Sequence, residues 1–250
     1  MNKKPKNSHK SDTVDKTLSV PQNSKISFDL KIRERTDYSE KQINVLKKLV
    51  CKDTKCVFID GLWGTSKSHL AVLAALKLLS TKKTDGFIFI RNPVESSSTG
   101  KSGFLPGGID EKMAPYNAIL FEKLSEFISQ ADANKLIEEG RIECLPLGFI
   151  RGRSWSCKTI IVDEASSMTY DDLFLLLSRC GEFTKIYFLG DSENQNDIGS
   201  RSGFAKMFNQ FNDEESKENG VFTFEFKNLE DIVRSGFVRF VMKKLGKIKM

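Results

Sequence analysis

The chain has 250 residues, enough for one substantial core, and its 39 Lys+Arg against 33 Asp+Glu leave a net charge of +6, a tilt toward anionic partners such as nucleotides or nucleic acid. No run of about 18 apolar residues offers a membrane span, and the polar start Met1 to Lys10 lacks the apolar centre of a signal peptide, so a soluble cytoplasmic protein is expected. Five scattered cysteines without a Cys-x-x-Cys pair, and only two histidines, His9 and His69, argue against zinc, thiol-redox and histidine-based catalysis.

Residues 1–25 are Lys, Ser, Asn, Asp and Thr with few large apolar groups, which predicts a disordered polar tail ahead of a single domain over 26–250. The first apolar run, Cys56-Val57-Phe58-Ile59-Asp60, breaks at Gly61 and reads as a buried strand. Ser68 to Leu79 places Leu70, Ala71, Leu73, Ala74 and Leu78 at helical spacing, and Gly86 to Ile90 is a second strand. Asn92 to Tyr116 reads as a long functional loop in which Lys101 suits a phosphate contact; Phe104 suits a base-stacking surface and a core plug equally.

Thr159 to Asp163 and Lys185 to Gly190 are further strands, separated by a helix from about Tyr170 to Arg179 with Asp171 and Asp172 at its N-terminal end. Asn212 to Asn219 reads as a surface loop, Val221 to Phe226 as the last strand and Leu229 to Leu245 as a closing helix. Apolar strands without alternation, each followed by a helix, predict a three-layer α/β/α fold around a mainly parallel sheet, with ligands at the strands' carboxyl ends.

The polar motifs fall at those ends. Gly61-Leu62-Trp63-Gly64-Thr65-Ser66-Lys67-Ser68 follows a strand and opens a helix, as in the phosphate-binding pattern Gly-x-x-x-x-Gly-Lys-[Ser/Thr]. In that pattern the Lys reaches the outer phosphates and the hydroxyl coordinates Mg²⁺. Ser66 replaces the second glycine, and its Cβ is expected to crowd the approach of backbone to phosphate. Asp163-Glu164 ends an apolar strand, where Asp holds Mg²⁺ through its water shell and Glu polarises the attacking water; the same pair also suits the cap of a following helix. Gly190-Asp191-Ser192-Glu193-Asn194-Gln195 is similar to the Gly-Asp-x-x-Gln of superfamily one helicases, in which the Gln senses the γ-phosphate, though Gln195 comes one residue later than in that pattern.

Five more segments carry a wider likeness: Thr36 to Gln42, Arg91-Asn92-Pro93-Val94-Glu95, Gly103-Phe104-Leu105-Pro106-Gly107 with Glu111-Lys112 and Pro115-Tyr116, Arg151-Gly152-Arg153, and Asp231-Ile232-Val233-Arg234-Ser235. With the motifs above they resemble the PhoH-like ATPases from about Thr36 to Leu245. The resemblance implies a RecA-like P-loop core that hydrolyses ATP with Mg²⁺, is associated with single-stranded RNA and forms ring-like homo-oligomers. Carried over, Gln42 contacts the adenine edge, and the loop from Gly61 to His69 binds the nucleotide. Ser68 and Asp163 hold the metal, and Lys67, Glu164 and Gln195 act in catalysis. Arg234 is the candidate arginine finger, in its own site or across a subunit boundary; pairing with Glu230 or Asp231 on a solvated helix is the competing reading. Arg151 and Arg153 suit either nucleotide or RNA phosphate.

Two departures touch the ATP site: Ser66, and Ala165-Ser166-Ser167 where Ala-Gln-Asn is usual. They keep open a nucleotide-binding, weakly hydrolysing RNA-binding module as the alternative. A small-molecule kinase would require an arginine-rich lid, for which the sequence offers no segment.

Overall fold

The structure is a computed structural model and describes residues 26, 28–91, 109–194 and 197–245, with side chains in the third helix from Asn117 onward. The expected tail and the segment from Asn92 to Gly108, including Lys101 and Phe104, lie outside the described residues, as does Gln195.

Ser39 starts the first helix, α1 (Glu40–Val50), with a capping box: its side chain accepts from the Gln42 backbone N–H while the Gln42 side chain accepts from the Ser39 N–H. Then follow β1 (Cys56–Gly61), α2 (Lys67–Ser80), β2 (Gly86–Arg91), α3 (Ile109–Ser125), α4 (Gln130–Glu138), β3 (Ile142–Pro146) and β4 (Lys158–Asp163). The chain continues through α5 (Tyr170–Leu177), β5 (Lys185–Gly190), α6 (Phe204–Gln210), the short α7 (Glu214–Glu218), β6 (Val221–Phe226) and α8 (Gly236–Lys244).

The six strands form one sheet in the order β3-β2-β4-β5-β1-β6, and every pairing is parallel. Alternate residues point to opposite faces. Val57, Ile59, Phe87, Phe89, Ile161 and Leu189 pack with α1–α4 on one side, while Phe58, Ile88, Ile160, Val162 and Phe188 pack with α5 and α6 on the other. Both faces are therefore dry, which explains strands apolar at every position rather than at every second one. The three-layer expectation holds, with the sheet parallel throughout.

The structure corrects four element assignments. Ile142–Pro146 is a sixth strand pairing with β2, too short and too close to a proline to stand out in sequence. The loop expected up to Tyr116 gives way to helix at Ile109. Within Asn212–Asn219, Asp213 caps the short helix α7, accepting from the Ser216 N–H. The closing helix is broken: Leu229–Asp231 is one 3-10 turn, Ile232 is extended, and helix resumes only at Gly236 under a Ser235 cap that accepts from the Val238 N–H. Among the described residues no helix is long and apolar enough to cross a membrane.

Candidate nucleotide site

The parallel sheet brings the ends of β1, β2, β4 and β5 to one edge, where they border a cleft of about 790 Å³. That volume lies in the range of small-molecule sites, about 300–1,000 Å³. The loop Trp63–Ser68 lines it together with His69, Arg91, Asp163, Glu164, Gly190 and Arg234.

Each glycine of the loop has its own reason. A Cβ on Gly61 would stand 2.7 Å from the Phe226 Cβ, because β6 runs directly alongside and the Leu62 N–H donates to the Phe226 carbonyl at 2.9 Å. Gly64 sits at φ +76, its carbonyl accepting from the Val233 N–H at 2.9 Å and the Arg234 N–H at 3.2 Å. Ser66, in the place of the usual second glycine, adopts the left-handed conformation that glycine takes without strain, φ 66 and ψ 25. Its side chain makes no cap hydrogen bond to offset the strain. The loop thus has its bend, at a backbone cost.

Lys67 opens α2, and its ammonium donates to the Gly61 carbonyl at 2.6 Å and the Leu62 carbonyl at 2.9 Å. Burial pushes this ammonium below its ordinary value, against the pull of Asp191, Asp163, Glu164 and Asp60. Four carboxylates thus act on one ammonium, which is held by two carbonyls of its own loop. Ser68 Oγ donates to Asp163 Oδ1 at 2.9 Å, joining the loop to the end of β4 across 95 residues.

The hydroxyl and the carboxylate, here bonded to each other, are the two oxygens that would hold a divalent cation. The donor set also suits Mg²⁺, a hard cation bound through one or two protein oxygens with substrate phosphates completing its shell. Among the described residues no group of three or more His, Cys, Asp or Glu is placed to hold a metal, so the fit is to a metal that arrives with a phosphate ligand.

Glu164 stands beside Asp163 with φ +54, a strained backbone of the kind that clusters at functional sites. Arg91 spans the acidic pair, 3.4 Å from Glu164 Oε1 and 4.0 Å from Asp163 Oδ2. Sequence reading singled out Arg91 only as part of a motif. Its place follows from β2–β4 register, which sets Arg91 opposite Asp163. Ser166 and Ser167, the unusual pair after Glu164, are buried and tie this turn to the next strand: the Asp191 N–H donates to Ser166 Oγ at 3.4 Å, and Ser167 Oγ donates to Asp197 at 3.3 Å.

Sequence reasoning also missed a polar latch behind the loop. Buried Asp60 accepts from the Ser192 N–H at 2.9 Å and hydroxyl at 2.6 Å, and Lys227 reaches it at 3.0 Å. An acid preceding the glycine of a phosphate loop was its one visible signal. Asp191 is buried too; burial raises its carboxyl above the usual range, and its Oδ2 has no hydrogen-bond partner among the described residues.

The remaining expected site residues fall in different places. Leu62 is buried against Ile232 and Met242, and Trp63 is exposed at the cleft lip. Thr65 donates from Oγ1 to the Leu62 carbonyl at 2.7 Å. Gln42 is 1% exposed and does not line the cleft: its Oε1 serves the α1 cap and its Nε2 reaches the Thr65 carbonyl at 3.5 Å. His69 lines the cleft, held between Glu126 Oε2 at 2.6 Å and the Tyr38 hydroxyl at 2.9 Å. That hydrogen bond keeps the Glu126 carboxyl below its ordinary value. Arg234 lies in the turn before α8 rather than on a helix, and Asp231, one of the two acids of the competing reading, pairs with Lys41 at 2.8 Å. Arg153 pairs with Glu143 at 2.8 Å, away from the cleft lining, and Arg151 is exposed.

The chain is 34% identical over 188 residues to a PhoH-like protein of Synechocystis, covering 74% of this chain and 55% of that protein. It is 31% identical over 171 residues to protein PhoH2 of Mycolicibacterium smegmatis, covering 68% of this chain and 39% of the relative. It therefore spans about half the length of the curated relatives it matches, or less. One solved structure, described as the Sulfolobus solfataricus SWI2/SNF2 ATPase core in complex with dsDNA, overlaps at a TM-score of 0.41 and 13% identity, over 79% of this chain and 46% of that one. The family pattern described as PhoH-like protein matches residues 31–245, and the chain belongs to that family.

Proposed function

We propose that this protein binds ATP with Mg²⁺, hydrolyses it, and couples turnover to single-stranded RNA. The observation that carries the reading is the 2.9 Å contact between Ser68 Oγ and Asp163 Oδ1, which brings the phosphate loop and the acidic strand end to one point. Mg²⁺ bound there supplies positive charge to the phosphates being separated. Lys67 leaves its loop carbonyls to hold the outer phosphates, and the first N–H groups of α2 complete the cradle. Glu164 orients the attacking water and accepts its proton. Arg91, across the acidic pair, keeps Glu164 in its rotamer. Arg234 lines the cleft of its own chain, which supports a role in cis. Gln195 is assigned the sensing of the γ-phosphate from the family motif.

The test is phosphate release by the full chain and by Lys67→Ala, with and without Mg²⁺ and a single-stranded RNA. Loss of the lysine is expected to lower turnover by about 10²–10³. Equal release by both proteins overturns the ATPase reading. The left-handed Ser66 favours a second reading, a nucleotide-binding module that turns over slowly. Tight ATP binding with lysine-dependent but slow release, unaffected by RNA, would select it.

A further inference from the structure

α8 carries a surface that the nucleotide site does not use. Val238 and Met242 turn inward, Val238 toward Leu62 and Ile232 and Met242 into the same cluster. At 100° per residue, Lys243, Phe240, Lys244 and Phe237 fall in that order around the opposite face. All four are exposed, Phe237 to 73% and Phe240 to 56%. From Ile232 to Leu245 the cations are Arg234, Arg239, Lys243 and Lys244, and no Asp or Glu interrupts them.

We infer that this face of α8 is the docking platform for single-stranded nucleic acid, with Phe237 and Phe240 stacking on bases and Lys243 and Lys244 contacting phosphates. The inference rests on the proposed coupling to RNA and gives it a location. Two features favour this occupant. Lys243 and Lys244, with no acid in their own segment from Ile232 to Leu245, give positive charge that complements a polyanion. The aromatics and cations also alternate on one face, whereas a membrane-surface helix separates its apolar side from its charged side. Stacking surfaces interleaved with phosphate contacts are what single strands require.

The platform also reaches the ATP site. The N–H groups of Val233 and Arg234 bond the Gly64 carbonyl. The Ile232 and Val238 side chains lie 3.3 and 3.5 Å from where a Gly64 Cβ would stand. The platform helix is thus continuous with the segment that holds both the phosphate loop and Arg234.

The experiment uses the full chain and two double variants, Phe237→Ala/Phe240→Ala and Lys243→Glu/Lys244→Glu, with fluorescent oligouridine of about 12 nucleotides. Expected are at least a tenfold loss of affinity in the aromatic pair, and in the lysine pair a slope of log affinity against log salt shallower by about 1.4. RNA-stimulated phosphate release should fall in both variants while release without RNA stays unchanged. If the wild type binds oligouridine and both variants bind it equally, the platform is wrong and the RNA reading stands. If the wild type binds none, both fall, and the Lys67→Ala comparison still judges the ATPase. A shift of sedimentation mass in the variants, or wild-type binding to phosphatidylserine vesicles that oligouridine does not displace, assigns the face to another occupant and overturns the proposal. Thermal melting of each variant reports folding; the two lysines are exposed, so their variant carries the test if the aromatic pair melts early.

Discussion

Ser66→Gly tests the most unusual feature of the phosphate loop. Ser66 occupies φ 66 and ψ 25 with no side-chain cap bond. A residue with a Cβ in that region costs about 1–2 kcal/mol relative to the right-handed conformation. Glycine removes the clash but adds freedom to the unfolded chain, which takes back about 0.4–1 kcal/mol. The expected net gain is about 0.5–1 kcal/mol. At about 2–4 °C per kcal/mol for chains of 150–250 residues, the melting temperature should rise by about 1–4 °C. Calorimetry of wild type, Ser66→Gly and Ser66→Ala makes the comparison. Alanine keeps the Cβ and loses only an unbonded hydroxyl, so its melting temperature should match the wild type. A lower melting temperature for Ser66→Gly, or an equal rise in Ser66→Ala, refutes the strain argument. If the Cβ also stands in the path of phosphate, ATP affinity rises in the glycine variant alone.

Two further outcomes follow from the same contacts. Glu164→Gln keeps the shape and removes the base, so phosphate release should fall by about 10²–10⁴ with ATP binding retained; release within tenfold of wild type would move the base elsewhere. Lys185, 8% exposed, donates to the carbonyls of Cys51, Lys52 and Thr54 just past α1, and burial lowers its ammonium to about 8. Between pH 8 and the ordinary 10.5 the unfolded chain holds more protons at this group than the folded one. This cost is full below pH 8 and is relieved as pH rises through that window. Urea denaturation should therefore show the wild type gaining stability relative to Lys185→Met as pH rises from about 8 to 10.5, with parallel curves outside that window; parallel curves from 8 to 10.5 would refute the assignment.

The local reading succeeded wherever neighbours in sequence decide structure. A run such as Val57-Phe58-Ile59, short, β-branched and aromatic and broken at Gly61, reads as a strand covered on both sides, and the turn into an Ala- and Leu-rich helix follows at once. It failed where a short segment takes its conformation from a distant one. Ile142–Pro146 is a strand because β2 offers it a ladder, and Leu229 to Leu245 is not one helix because Gly64 draws in the Val233 and Arg234 amides.

For the site, residue types and order in the sequence put Lys67, Ser68, Asp163 and Glu164 at one edge of the sheet, since each sits at the end of an apolar strand or the start of the helix after it. Tertiary structure alone decided what surrounds them. Register sets Arg91 beside the acids, and the β1–β6 pairing puts Lys227 within reach of Asp60. The broken final helix seats Arg234 against the loop and leaves the aromatics of α8 in solvent. Local pattern encodes which residues a strand end presents, while their partners depend on sheet order and register, which no single segment carries.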